Sequence, residues 1–435
     1  MKNWNYVLLS MALCISLGTQ AADLSTLYNE MIRSFPGLVA SKAQFDAGKF
    51  RAIQAQGNLL PQINISSSVN RTRFQGINSL DYYNGRRYNL NITQSLFNRE
   101  KTEDKKSFDA LASQNYEDYL AFKSAASVDL VDRYVQVLAA EDRVTQVIEE
   151  KKLVARQLEQ LRTMYKLQLS ILTDVLEVEA RLDNLSAQEI GAVNDADIAR
   201  ESLAELVGRN VLEPLDRFAE NLSFAENDEN TKQYWTDLGL ANNNTLSALN
   251  NKIISAKADV KKAAAGHLPT VSLQLNAQKS NIGSENRPSQ NNKSYVASLN
   301  FSIPLYSGGS TTARESEKKS ELIEARARYE ESRRTIIKDI RQAFLNVSAN
   351  KATLKASKKK ILSAKKIYQA MSRGLEYGTV TVVDVLDAQK DILQYRNEYS
   401  QNKYDYVVNW LNLLRLSGQF NEKSITQANT WLTKN

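Results

Sequence analysis

The chain has 435 residues, with 56 Lys and Arg against 49 Asp and Glu, a net charge of +7 spread along its length. That excess is too diffuse for nucleic acid, which needs a concentrated basic face, and a mean hydropathy of -0.44 excludes a bundle of transmembrane helices. One His and one Cys exclude most metal and triad chemistry and any disulfide framework, so no cofactor is expected.

Residues 1–21 read as a secretory signal peptide: Lys2 supplies the positive start, Tyr6 to Leu17 an apolar core, and Thr19-Gln20-Ala21 a small-x-small cleavage site. The apolar core is too short for a membrane anchor, which needs about 20 residues. Leu13 stands where a lipoprotein signal would need a small residue before Cys14, so no lipid anchor is expected.

The rest of the chain repeats itself. Leu60-Pro61-Gln62-Ile63 matches Leu268-Pro269-Thr270-Val271 at an offset of 208, and Ser95-Leu96-Phe97 matches Pro304-Leu305-Tyr306 at 209. Thr173-Asp174-Val175-Leu176 matches Val383-Asp384-Val385-Leu386 at 210, and Gly208 matches Gly418 at the same offset. The same order with a drifting offset means two copies of one unit, too long for a solenoid repeat. The copies are placed at 22–208 and 245–418, with a linker at 209–244 and a closing segment at 419–435.

Each copy opens on an amphipathic stretch, Ser25 to Gly57 or Thr245 to Gly266, and continues with two strands. The strands are predicted at 62–73 and 86–97, then at 269–279 and 294–306, because apolar residues alternate with polar ones. Val271, Leu273, Leu275 and Ala277, for example, face away from Thr270, Ser272, Gln274 and Asn276. The segments between them, Phe74 to Gly85 and Ser280 to Lys293, are rich in Gly, Asn, Ser and Tyr and read as loops.

Long helices follow at 99–165 and 310–373. Ile340, Val347, Leu354, Ile361 and Tyr368 recur every seventh residue, with Ile336, Ala343 and Asn350 as the other half of a coiled-coil seam. At about 1.5 Å per residue these helices are about 100 Å long. Helices at 171–207 and 381–417 are half as long, so two short helices flank each long one in an array attached to a small sheet. Four strands with one apolar face cannot stand alone in a bilayer, where they must close into a barrel, and single-chain barrels start at eight strands. Several chains are therefore required, and the spacing leaves two, three or four open.

Export signal, duplication, two strands per copy and long helices together resemble the TolC family of outer membrane efflux proteins. The most specific local match is the segment from Tyr377 through Gly378, Thr381, Asp384 and Asp387 to Ala388. The resemblance implies a homotrimer with a twelve-stranded transmembrane β-barrel continued by a helical coiled-coil tunnel across the periplasm. It implies an exit duct for drugs, toxins or proteins, with a periplasmic adaptor protein and an inner-membrane ABC or proton-driven pump as partners. A structural or adaptor coiled-coil protein of the periplasm is the alternative, and four strands of bilayer length speak against it.

Asp384 and Asp387 stand at i and i+3 on one helix face. Spacing alone reads Thr381 as an N-cap with Asp384 at N3; the resemblance instead implies stacked acidic rings at the narrowest point of the tunnel. Asp174 and Glu177 occupy the same positions in the first copy. Val380 and Leu375 stand where better-known members carry an Arg and a Tyr that latch the tip; Arg373, Tyr377, Tyr165 and Lys166 are the nearby candidates. His267 reads as structural. The run Lys355, Lys358, Lys359, Lys360, Lys365 and Lys366 reads as a solvated face, with adaptor docking as the functional alternative.

Overall fold

A computed structural model describes residues 22–75, 80–219, 231–282 and 291–433; the expected signal peptide lies outside them. The opening stretch is two helices, α1 (Leu24–Ser34) and α2 (Pro36–Gly57), where one run from Ser25 to Gly57 is expected. Pro36 is the cause: it sits in the first turn of α2 and drives Phe35 to ψ 114, out of the helical region. The strands β1 (Gln62–Gln75) and β2 (Leu80–Phe97) follow, then α3 (Arg99–Lys166) and α4 (Leu172–Val207). A two-residue strand, β3 (Arg217–Phe218), leads into the second copy.

The second copy begins earlier than the sequence suggests. Helix α5 (Lys232–Asn242) occupies part of the segment read as a linker at 209–244, and it precedes α6 (Asn244–Ala264) as α1 precedes α2. Asn243 makes this break as Phe35 makes the first, at ψ 120. Its Oδ1 accepts from Thr245 N and Leu246 N at 3.0 and 3.2 Å, while its amide donates to Leu416 O at 2.9 Å. A 3-10 turn, Ala265–His267, then leads to β4 (Thr270–Ile282) and β5 (Asn292–Ser302). Helices α7 (Ser310–Glu376), α8 (Val382–Leu416) and α9 (Glu422–Thr430) and a last short strand, β6 (Leu432–Thr433), complete the chain.

The four long strands form one antiparallel sheet in the order β1-β2-β4-β5. Both strands of the first copy reach into the segment Phe74 to Gly85 expected as a loop, and β5 stops at Ser302 rather than residue 306. Tyr82, Tyr83, Asn84 and Gly85 break the apolar alternation there, yet pairing continues in register from Val69↔Arg86 to Gln75↔Leu80. One face carries Ile63, Ile65, Leu90, Ile92, Leu275, Leu299 and Phe301; across the other, Gln274 donates to Asn91 at 3.0 Å and Asn276 to Asn89 at 2.6 Å. Apolar side chains such as Ile65, Val69, Leu299 and Phe301 are exposed on the single chain.

Among the described residues no helix is long and apolar enough to cross a membrane. The helices bury two main cores. The larger joins Leu27 and Met31 of α1 to Leu130, Tyr134 and Leu138 of α3, Leu203 of α4, Val407 and Leu411 of α8, and Ile425 of α9. The second lies toward the α3–α4 and α7–α8 turns, where Val154, Leu158 and Leu161 meet Val175, Val178, Val382 and Leu386. In α7 the seam runs through Ile336, Ile340, Ala343, Val347 and Leu354, then passes to Ser357 and Ala364, leaving Ile361 half-buried.

Candidate functional site

Each long helix turns back into a half-length helix through five residues, 167–171 in the first copy and 377–381 in the second. Gln168 at φ 59 and Gly378 at φ 69 occupy the same left-handed position in the two turns. Leu169 N donates to Met164 O at 2.8 Å, and Thr379 N to Gly374 O at 2.9 Å, so the two backbones close alike.

Thr381 caps α8, as its spacing suggests. Its N and Oγ1 both donate to Asp384 Oδ2, at 2.8 and 2.7 Å, and Asp384 N donates back to Thr381 Oγ1 at 3.2 Å. These bonds favour the ionised form and hold the Asp384 carboxyl below the usual aspartate range. Asp387, one turn on, is exposed but not free: Arg181 Nη1 of α4 donates to its Oδ1 at 2.7 Å. Arg181 also lies 3.5 Å from Glu150 Oε1 of α3, so one guanidinium joins α3, α4 and α8.

In the first copy Asp174 is the third residue of α4, as Asp384 is of α8. Ile171 stands at the cap position and offers no side-chain bond; Ser170 Oγ reaches Asp174 at 3.5 Å. Glu177 is exposed one turn further on. The four carboxylates thus lie in the opening turns of two helices that leave equivalent bends. Sequence reasoning missed Arg181, because its partner Asp387 is 206 residues away and no local spacing points to it.

Of the lysine run, Lys360 donates to Glu398 Oε2 at 2.7 Å and lies 3.8 Å from the Tyr395 ring centre, which fixes it on α8. Lys365 lines a 460 Å³ groove with Lys152, Arg156 and Arg396. Among the described residues no group of His, Cys, Asp and Glu could hold a metal ion.

The outer membrane efflux protein family matches this chain twice, over residues 27–209 and 235–419. The chain belongs to that family. The double match falls on the two copies, and its second part starts at residue 235, inside α5. Similar relatives include the outer membrane protein TolC of Vibrio cholerae, 28% identical over 428 residues that cover 96% of this chain and 95% of that one. The alkaline protease secretion protein AprF of Pseudomonas aeruginosa is 25% identical over 411 residues, 92% of this chain and 85% of that one. The solved outer membrane protein VceC of Vibrio cholerae shares the fold, with a TM-score of 0.79 at 17% identity over 91% of this chain and 96% of that one. This efflux family chain is an outer membrane exit duct whose helices extend into the periplasm.

Proposed function

We propose that three copies of this chain form the exit duct of a tripartite efflux or type I secretion assembly, with the tips of α3–α4 and α7–α8 as its periplasmic gate. The open sheet carries the reading. Its four strands have one apolar face, and β1 and β5 each leave their outer edge without a strand partner among the described residues. Unpaired strand edges are not tolerated in lipid, so β5 of one protomer must meet β1 of the next. Three protomers give twelve strands, within the range of outer membrane barrels.

Asp384 and Asp387, with Asp174 and Glu177 as a second pair, would then gather around a common axis. Acidic rings at a constriction favour cations and slow anions. The Arg181 bond makes the two rings of the second copy unequal, since Asp387 is compensated within its own protomer and Asp384 is not. A duct of this family supplies no driving force of its own in this reading, so export against a gradient needs another machine. A periplasmic adaptor and an inner-membrane ABC or proton-driven pump are therefore the implied partners, and the lysine-lined groove near Lys365 is the candidate adaptor surface.

Fractionation followed by unheated and heated electrophoresis tests the assembly. A trimer that enters the outer membrane fraction and dissociates only on heating is expected; a soluble monomer overturns the reading. Deletion with paired drug-susceptibility and protein-secretion assays identifies the cargo class.

A further inference from the structure

The apolar face of the sheet ends in cations. Register places Ile65, Leu90, Ala277 and Tyr295 in one row, and the next row toward the β1–β2 and β4–β5 loops holds Tyr88, Lys279 and Lys293. Beyond it on the same face come Val69 with Arg86, Arg71 with Asn84, and Arg73 with Tyr82. Arg71 lies 5.5 Å from the Tyr82 ring centre, as two side chains on one face must. Five exposed cations per chain therefore crown the apolar band, and the described residues of these rows include no Asp or Glu.

Two features go beyond ordinary snorkelling of long cations to an interface. Lys279 and Lys293 are directly opposite each other, an arrangement that costs stability unless an anion lies between them. They also line, with Tyr88 and Tyr295, a 170 Å³ groove whose other end is Ile65 and Leu90. A 270 Å³ groove floored by Leu90, Ile92, Leu275 and Ala297 continues it toward the helices. The tyrosines lie where outer membrane barrels place an aromatic girdle. From Tyr295 to the exposed Leu305 is about 33 Å of extended chain, or about 23 Å of height at 45° tilt, close to the usual apolar band.

We infer that this surface binds the phosphate headgroup of an anionic lipid of the outer leaflet. Lys279, Lys293 and Arg86 hold the phosphate, and one acyl chain lies along the apolar groove. The inference rests on the outer membrane reading, which the heat-dissociable trimer tests separately.

Native mass spectrometry of the purified trimer would compare diphosphoryl lipid A with its dephosphorylated form. Binding of the phosphorylated lipid is expected to be at least about tenfold tighter, given several cations per headgroup. The triple variant Lys279→Gln, Lys293→Gln, Arg86→Gln should abolish that preference, and Lys279→Arg with Lys293→Arg should keep it. Equal binding of the two lipids by the native trimer overturns the inference, as does an undiminished preference in the Gln variant. If the Gln variant fails to assemble, the two-lipid comparison on the native trimer decides alone.

Discussion

At the first tip, Leu167, Leu169, Ile171, Leu172 and Leu176 are exposed, Gln168 holds a left-handed backbone, and α4 starts with no side-chain cap. At the second, Gly378 takes the left-handed position, Thr379 Oγ1 donates to Gly374 O at 3.0 Å, and Thr381 and Asp384 cap α8. The backbones are equivalent, yet one bend is apolar and strained while the other satisfies its own polar groups. After duplication the path of the chain was kept and its chemistry was not. The second tip can hold its shape alone. The first presents leucines that gain from being covered, which suits a surface meeting a neighbouring protomer or an adaptor.

The largest expected contrast is electrical. Asp384→Asn with Asp387→Asn should remove the cation preference of the closed pore in planar bilayers. Asp174→Asn with Glu177→Gln should change it less, because that pair belongs to the apolar tip. If the first-copy variant has the larger effect, the gate lies at the other bend. Arg181→Ala comes next. By releasing Asp387 it should raise cation preference, and because it also leaves the buried Glu150 without its cation it should lower the temperature at which the trimer dissociates.

The caps give a smaller, local effect. Thr381→Val should speed hydrogen exchange at the first turn of α8 about fivefold, the usual consequence of losing an N-cap. Ile171→Thr should slow exchange in α4 by a similar factor, because Asp174 already stands at the reciprocal position. The second tip should also respond to acid. Asp384 has its carboxyl pKa lowered on folding, so its contribution is present above the unfolded value of about 3.8 and is lost as pH falls through the lower folded value. Protection at α8 should drop below pH 4 in the native chain and drop less in Thr381→Val, where only the backbone N–H still donates to the carboxylate. The backbone exchange pairs an effect of the cap's size with the smallest of all: Gly378→Ala should cost about 1 kcal/mol, while Gln168→Gly should be close to neutral, its relief of strain offset by a more flexible unfolded chain.

Most of the architecture was legible because it rests on periodicity. Alternating faces gave the inner parts of all four strands, and heptads gave α3 and α7. Two things hid. Helix α5 contains Gly239, which reads as a breaker; a Cβ there would lie 2.2 Å from Ile340 Cδ1, so the glycine serves close packing of α5 on α7. The outer ends of the first hairpin, residues 74–75 and 80–85, hid because Tyr82, Asn84 and Gly85 offer no apolar alternation beyond the apolar band. At the site, Thr381 and Asp384 were readable from three-residue spacing. The Arg181–Asp387 bond was not, since only folding brings α4 to α8.

Near mid-length, Ala22 pairs in parallel with Leu215, and β3 pairs with β6, so both ends of the described chain are tied to the strap between the copies. Asn429 Nδ2 donates to Asp23 Oδ2 at 3.3 Å, which links the ends to each other. The first copy therefore cannot complete its own packing until residues 432 and 433 have arrived to pair with β3. Such end-to-end closure is the slowest kind of contact to form. A chain leaving the inner membrane from its N-terminus would stay open along this strap throughout translocation, with its largest core unfinished, and would become competent to meet neighbouring protomers only after the last segment has crossed.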